Sequence, residues 1–276
     1  MRIREEVISA RANPLVKWAA SLQDKKGRQK EGAFLAEGEK LTLEAIDRGL
    51  PIKYIFVNEA KAKELLPVLE AHVGHEGGAD GEIVLLKKEA FEKISTEKAP
   101  QGVITVIKAL DFFFNMDIIY KEEFILEPDE RVIALDSVRD PSNLGSVIRS
   151  AVAFGIDHIV LSSDCADLYN PKTVRSSMGS MFGIKATYVK DFASFIGAAK
   201  ANGRRVLSAE LNPEALSLRD ANLQPSDIVV IGNEGHGVSA GVSAACDSAV
   251  YIPISEGAES LNAAVAAAVF MWEISK

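Results

Sequence analysis

From Arg131 to the C-terminus, short apolar runs alternate with amphipathic stretches in a βα rhythm. Val132–Leu135, His158–Leu161, Ala186–Val189, Val206–Ala209, Ile228–Ile231 and Ala249–Ile254 have the length and composition of buried strands. Between them, Leu144–Phe154, Lys172–Met181, Phe192–Ala201 and Leu261–Ile274 carry apolar residues at helical spacing. The alternation predicts a mostly parallel sheet with helices on both faces.

The N-terminal part alternates in the same way. Helices are expected over Pro14–Leu22, Leu41–Ile46, Ala60–His72 and Lys88–Ile94, and strands over Ala33–Ala36, Ile52–Val57, Glu82–Leu86 and Gly102–Ile107. Trp18 shares an apolar helix side with Leu15, Ala19 and Leu22, so a core role is expected ahead of base stacking. Between residues 110 and 130 the period is lost, in an aromatic triplet, Phe112–Phe114, and an acidic stretch, Glu122–Glu130. The expected organisation is therefore a first domain at 1–110, a linker at 111–130 and a second domain at 131–276. The triplet is expected to pack on a domain or a partner subunit.

Composition narrows the class. At 47% hydrophobic residues the chain has material for a substantial core. No leader pattern opens the sequence, and the longest apolar run, from Leu261, is too short for a bilayer, so a cytoplasmic protein away from membranes is expected. Cys165 and Cys246 match no metal or redox spacing and read as buried apolar residues. His72 and His75 flank a glycine-rich stretch and read as loop residues; no metal site is expected. The net charge of −8 argues against nucleic acid, yet its distribution does not. Residues 1–30 hold eight Lys/Arg against three acids. Phosphate binding follows local potential, although a solvated helix face explains the same run.

Three stretches place polar residues and glycines directly after strand-like runs, where open parallel sheets bind ligands. The first runs from Asp136 to Gly145 and on to Arg149, the second is Gly232–Gly237, and the third joins Ile252–Pro253 to Ser260–Leu261–Asn262. Singly, each has a structural explanation. Ser142 or Asn143 caps a helix, Arg149 takes a surface ion pair, the glycines make a tight turn, and Ser260 caps the last helix. Neither G-x-G-x-x-G nor G-x-x-x-x-G-K-[ST] occurs, which disfavours a Rossmann dehydrogenase or a P-loop enzyme.

Taken together, the stretches resemble the SpoU/TrmH family of RNA ribose 2'-O-methyltransferases, within the knotted methyltransferases. N-x-G-x-x-x-R-x-A stands as Asn143, Gly145, Arg149 and Ala151; G-x-E-x-x-G stands as Gly232, Glu234 and Gly237. The third motif stands as Ile252, Pro253, Ser260, Leu261 and Asn262, and Pro171–Gly179 is similar to a segment between the first two. Ala263–Ala264 departs from the common Val-Ser. The likeness is dense over 131–276. It extends more weakly to the N-terminal domain through Phe34–Gly38 and Gln101–Val103.

The resemblance implies an α/β fold with a deep trefoil knot, an exception to ordinary topology, a homodimer, and a smaller N-terminal α/β RNA-binding domain similar to ribosomal proteins. It implies S-adenosylmethionine bound at Gly232, Ile252 and Leu261, the glycine leaving room for the adenosine, and no metal. Catalysis falls to Arg149, with Asn143, Ser260 and Asn262 orienting it and the hydroxyl, and Glu234 supporting it or the loop. Two proton routes stay open. Either Arg149 is deprotonated, or it stays charged on a phosphate and that phosphate or water takes the proton; arginine's persistent charge favours the second. Arg11, Lys17, Lys25, Lys26 and Arg28 are the expected RNA-backbone contacts. The implied substrate is large-subunit ribosomal RNA. The alternatives are transfer RNA, methylation of a base nitrogen, or a non-catalytic RNA-binding or ribosome-assembly protein that keeps a cofactor pocket.

Overall fold

In the computed structural model the described residues are 1–73, 81–110, 113–116, 126–127, 129–255, 257 and 259–276. The chain forms two compact units, one of residues 1–110 with 167–182, the other of 111–166 with 183–276.

The first unit contains β1 (Arg2–Ile3), α1 (Pro14–Ser21), α2 (Lys25–Glu31), β2 (Ala33–Glu37), α3 (Glu39–Asp47), β3 (Ile52–Asn58), α4 (Ala62–Val73), β4 (Glu82–Leu86), α5 (Lys88–Ile94) and β5 (Val103–Lys108). Its sheet runs β1-β4-β3-β5-β2, with β1, β4 and β3 parallel and β5 antiparallel to its neighbours. Val16, Ala19 and Leu22 pack on Phe56, Phe91 and Ile104 in one core. Helix α2 has no apolar period to announce it; only Arg28 is buried on it. His72 lies in α4 rather than a loop, with Nδ1 2.6 Å from Asp47. His75 falls outside the described residues.

The second unit contains β6 (Phe113–Met116), β7 (Val132–Leu135), α6 (Pro141–Ala153) and β8 (His158–Ser162). Residues 167–182, carrying the short α7 (Pro171–Ser176), then pack with the first unit instead of the 131–276 domain expected from sequence. Specific contacts hold them there. Tyr169 stacks on Phe34 with ring centroids 4.6 Å apart and receives a hydrogen bond from the Leu110 N–H, and Asp167 pairs with Arg28. The helix expected over Lys172–Met181 stops at Ser176, because Met178 and Gly179 turn to φ 53° and 91°.

The chain returns with β9 (Lys185–Val189), α8 (Phe192–Ala201), β10 (Val206–Ala209), β11 (Leu216–Ser217), β12 (Ile228–Ile231), α9 (Ala240–Ala245), β13 (Ser248–Tyr251) and α10 (Ala263–Ile274). Strand order is β11-β13-β10-β12-β7-β8-β9-β6, and every pairing is parallel. Val132, Ala134, Val160, Ile228 and Val230 pack under Phe195, Ile196 and Val242. The alternate residues Ile133, Leu135, Ile159, Leu161 and Val229 are also fully buried, so both faces of the sheet are covered. The part expected to be a linker contributes β6, an edge strand beside β9. Phe112 and the side chains of the triplet lie outside the described residues. Cys165 is buried and Cys246 half-buried, both as free thiols. Among the described residues no helix is long and apolar enough to cross a membrane.

Candidate active site

Asp136 directly follows strand β7; its buried carboxylate accepts the Ser239 N–H at 2.8 Å while its own N–H donates to the Ile231 carbonyl. Ser137 follows at φ 59°, a left-handed conformation uncommon for a residue with a Cβ. Three bonds hold it. Its N–H donates to Ser162 Oγ at 2.8 Å, its hydroxyl to Asp164 at 2.7 Å, and its carbonyl accepts Asn233 Nδ2 at 2.9 Å. Burial would raise the Asp164 carboxyl, but donors from Arg139, Ser137 and Ser162 outweigh it and hold the group at about 2.

Asp140 caps α6, accepting the N–H groups of Ser142 at 2.8 Å and Asn143 at 2.9 Å, and Pro141 opens the first turn. The cap is therefore neither Ser142 nor Asn143, and the Asn143 amide is released for long-range bonds. Its Nδ2 donates to Glu234, and its Oδ1 accepts Asn262 Nδ2 at 3.0 Å. Asn262 in turn caps α10, its Oδ1 accepting Ala264 N at 2.9 Å. Asn262, not Ser260, starts that helix. The three loops thus converge through one chain of side chains, Glu234–Asn143–Asn262.

The second loop closes on itself. Asn233 and Gly237 exchange N–H···O=C bonds of 2.9 and 2.8 Å, and Asn233 Oδ1 accepts the Gly235 N–H at 2.9 Å. A Cβ on the buried Gly232 would stand 2.1 Å from the Gly237 carbonyl carbon and 2.2 Å from Val238 N. The sequence rationale for this glycine, space for an adenosine, gives way to a nearer one: the loop's own backbone fills the space.

The Arg149 side chain is exposed on α6 and bonds to no other described residue; the Ser260 side chain is likewise exposed and bonds to none. Ile252 and Leu261 are half-buried at the rim. Beside Asn143 and Asn262, a groove of about 480 Å³ lies between α6 and α10, walled by Ser146, Ser150 and Phe154 on one side and Val265 and Trp272 on the other. In the first unit, Arg11, Lys17, Lys25 and Lys26 are exposed. Arg28 is not. Its guanidinium is buried, donating to the carbonyls of Leu22 and Gln23 at 3.0 and 2.7 Å and pairing with Asp167 at 2.6 Å, so it is a structural residue and no phosphate contact.

Sequence reasoning included Asp136, Ser137, Asp140 and Asn233 in the motif stretches but gave them no role. Only Asp140 carried a local signal, as an Asp-Pro pair before a helical pattern. The others act through partners roughly 25 to 100 positions away.

Residues 130–272 match the model of the SpoU rRNA Methylase family, and residues 13–105 that of the MRM3-like substrate binding domain. The 23S rRNA (guanosine(2553)-2'-O)-methyltransferase RlmP of Bacillus subtilis is 32% identical over 97% of this chain and 98% of its own length. A crystal structure of an rRNA methyltransferase from Sinorhizobium meliloti superposes with a TM-score of 0.80 at 26% identity, covering 99% of this chain and 98% of that one. The SpoU methyltransferase AviRb of Streptomyces viridochromogenes, in complex with the cofactor AdoMet, gives 0.76 at 26% identity, covering 95% and 97%. With one family model spanning more than half of its residues and a relative aligned nearly end to end, the chain belongs to the SpoU rRNA methylase family.

Proposed function

We propose that this protein transfers a methyl group from S-adenosylmethionine to a ribose 2'-hydroxyl of large-subunit ribosomal RNA. The observation that carries the reading is the Glu234–Asn143–Asn262 chain, which joins the three family motifs at the carboxyl ends of β7, β12 and β13. RlmP of Bacillus subtilis and a further relative from Streptomyces viridochromogenes, 27% identical, are 23S rRNA 2'-O-methyltransferases. The direct experiment incubates the protein with tritiated S-adenosylmethionine and deproteinised 23S rRNA, then hydrolyses the RNA in alkali. A ribose methyl leaves a labelled, alkali-resistant dinucleotide. Label confined to mononucleotides indicates a base target, and label accepted only by transfer RNA indicates the other substrate class.

The residues present suit the cofactor. The buried Gly232 starts a self-closed loop, and the backbone N–H and C=O of Leu261 bond to no other described residue, leaving both groups to take the adenine edge alongside Ile252. When bound, S-adenosylmethionine supplies an electrophilic methyl group. The rest falls to the protein. Asn143, Asn262 and Ser260 orient the 2'-hydroxyl, and Glu234 holds Asn143. Arg149, whose side chain has no partner among the described residues, keeps its charge and grips the adjacent phosphate through two N–H groups, so that this phosphate or a water accepts the hydroxyl proton.

The reading includes the trefoil knot. What supports it is that β13 ends two strands from β12, yet the chain beyond it comes back so that Asn262 touches Asn143 and α10 packs on α6 and β12. It also includes a homodimer through the α6–α10 face. Val152, Val265 and Trp272 are 41, 50 and 54% exposed there, an apolar surface with a second copy as its natural cover. Trp272→Glu is expected to turn the dimer into a monomer by light scattering; an unchanged dimer rejects this face. The first unit selects the RNA, with Arg11, Lys17, Lys25 and Lys26 on its backbone.

A further inference from the structure

Trp18 packs against the core of the first unit, as its helical spacing suggests, without being enclosed by it. It is half-buried, and its indole lines an open groove of about 890 Å³ at the end of the first sheet where β3 starts and β5 finishes. Tyr54 meets the ring edge-on at a centroid distance of 5.6 Å, and Lys53 Nζ stands 5.6 Å from the ring centroid. Arg4 and Lys108 complete the basic wall.

Two carboxylates also line this groove, and both are committed. Glu82 accepts two bonds from Arg4, at 3.2 and 2.8 Å. Glu31 accepts the Trp18 Nε1–H at 2.9 Å and pairs with Lys30 at 3.4 Å. The Lys108 side chain is exposed and bonds to no other described residue. What remains for an incoming molecule is an aromatic pair, the Lys108 ammonium, and Lys53, whose Nζ makes one bond, to the Glu31 carbonyl at 3.3 Å. The volume lies within the ~300–1,000 Å³ typical of small-molecule sites. An aromatic floor with cations beside it accepts a base from which a neighbouring base has been unstacked, together with its phosphate; a paired duplex keeps its base faces covered.

We propose that this groove binds an unpaired nucleotide of the RNA substrate, its base against Trp18 and Tyr54 and its phosphate on Lys53 and Lys108. The identity of the polymer rests on the RNA reading above; the chemistry of the groove does not.

The test follows tryptophan emission of the full-length protein during titration with a single-stranded RNA 12-mer, with a blunt duplex of the same sequence and heparin as comparisons. Quenching is expected with the single strand in the wild type and is expected to disappear in Trp18→Phe, which keeps an aromatic platform, so binding by anisotropy persists. Lys108→Glu changes an exposed side chain and is expected to weaken single-strand binding roughly ten-fold and to lower its salt slope by about one. In methyl transfer to 23S rRNA the same variant raises KM and leaves kcat unchanged. Equal quenching in Trp18→Phe, unchanged affinity and slope in Lys108→Glu, or equal binding of duplex or heparin overturns the proposal. Quenching by the 12-mer without any methylation of ribosomal RNA sinks the substrate reading and leaves the groove standing. Normal methylation without quenching does the reverse.

Discussion

Gly232→Ala separates two accounts of the glycine that opens the second loop. If the position is glycine to admit the cofactor, the alanine variant folds normally and binds S-adenosylmethionine poorly. The geometry argues otherwise. The new Cβ would lie 2.1, 2.2 and 2.4 Å from Gly237 C, Val238 N and Gly237 O, all backbone atoms that cannot rotate away. The loop has to move, at an overpacking cost of about 1–3 kcal/mol. That movement opens the Asn233–Gly237 pair, whose two bonds contribute about 1 kcal/mol each. The sum is about 3–5 kcal/mol, which corresponds to a fall of roughly 6–20 °C in Tm for a unit of this size. The assay is calorimetric melting of the cofactor-free protein, followed by titration with S-adenosylmethionine. Gly235→Ala is the internal control, because its Cβ meets nothing nearer than Asn233 Oδ1 at 3.4 Å. A cofactor-free Gly232→Ala protein that melts with the wild type, while cofactor affinity alone collapses, refutes the argument.

Arg149→Ala is expected to abolish methyl transfer and leave cofactor affinity within about two-fold, since the side chain bonds to no other described residue; equal loss of both in calorimetry and a tritium-transfer assay makes it structural. Neutralising Lys25 and Lys26 is expected to lower the salt slope of RNA binding by about one to two with no change in Tm. Arg28→Ala behaves oppositely, costing about 3–5 kcal/mol by stranding Asp167 and two carbonyls, read as a lower urea midpoint. An acid-sensitive site lies at the base of the second sheet. Burial alone would raise the Glu130 carboxyl, but His158 and Lys185, at 3.2 and 3.0 Å, hold it at about 2 against an ordinary 4.5. Burial pushes the His158 imidazole below 6.5, with Glu130 pulling the other way. Both groups bind fewer protons folded than unfolded, so their stability is complete above about pH 6.5. It declines as His158 charges in the unfolded state, and falls further between 4.5 and about 2 as Glu130 must be protonated. Urea unfolding from about pH 3 to 7 should show this acid limb flattened in Glu130→Gln; an identical profile would exclude Glu130 as its source.

Much of the second unit was legible because its strands are buried on both faces and read as unbroken apolar runs bounded by turn residues. Ile228–Ile231 and Phe192–Ala201 fall where the pattern puts them. What the pattern misses has little apolar content to show. Helix α2 is polar on every side, β6 sits at a sheet edge in a stretch with no period, and β11 has two residues. Segment 167–182 reads as part of the C-terminal run by position alone. Its allegiance is decided by Tyr169 on Phe34 and Asp167 on Arg28, contacts more than 130 residues apart that local pattern does not encode. The Arg28 error has the same root. Sequence shows a cation in a basic run, and only the fold shows two carbonyls and a carboxylate closing around it.

The site itself was half legible, for a reason that strand order makes plain. Strands β7 and β12 are neighbours although some 90 residues separate them, and from β7 the chain proceeds to β8 on the other side. That reversal opens a crevice at the carboxyl ends of the strands, the position at which open α/β sheets take ligands. Sequence marked the loops on each side of the crevice by their glycines and amides. It did not reveal that Asp140 would relieve Asn143 of capping α6, nor that Asn262 would use one amide atom to cap α10 and the other to reach Asn143. A cap that spends only part of its hydrogen-bonding capacity on its own helix is what ties the last loop to the first. Arg149 stands outside this economy. Its side chain bonds to no other described residue, so on the proposed function its orientation is left to the RNA phosphate it would grip. The order in which function fails on mutation follows from that. Asn143 and Asn262 variants are expected to lose the convergence of the loops and the cofactor together, whereas Arg149 variants are expected to keep both and lose only the transfer.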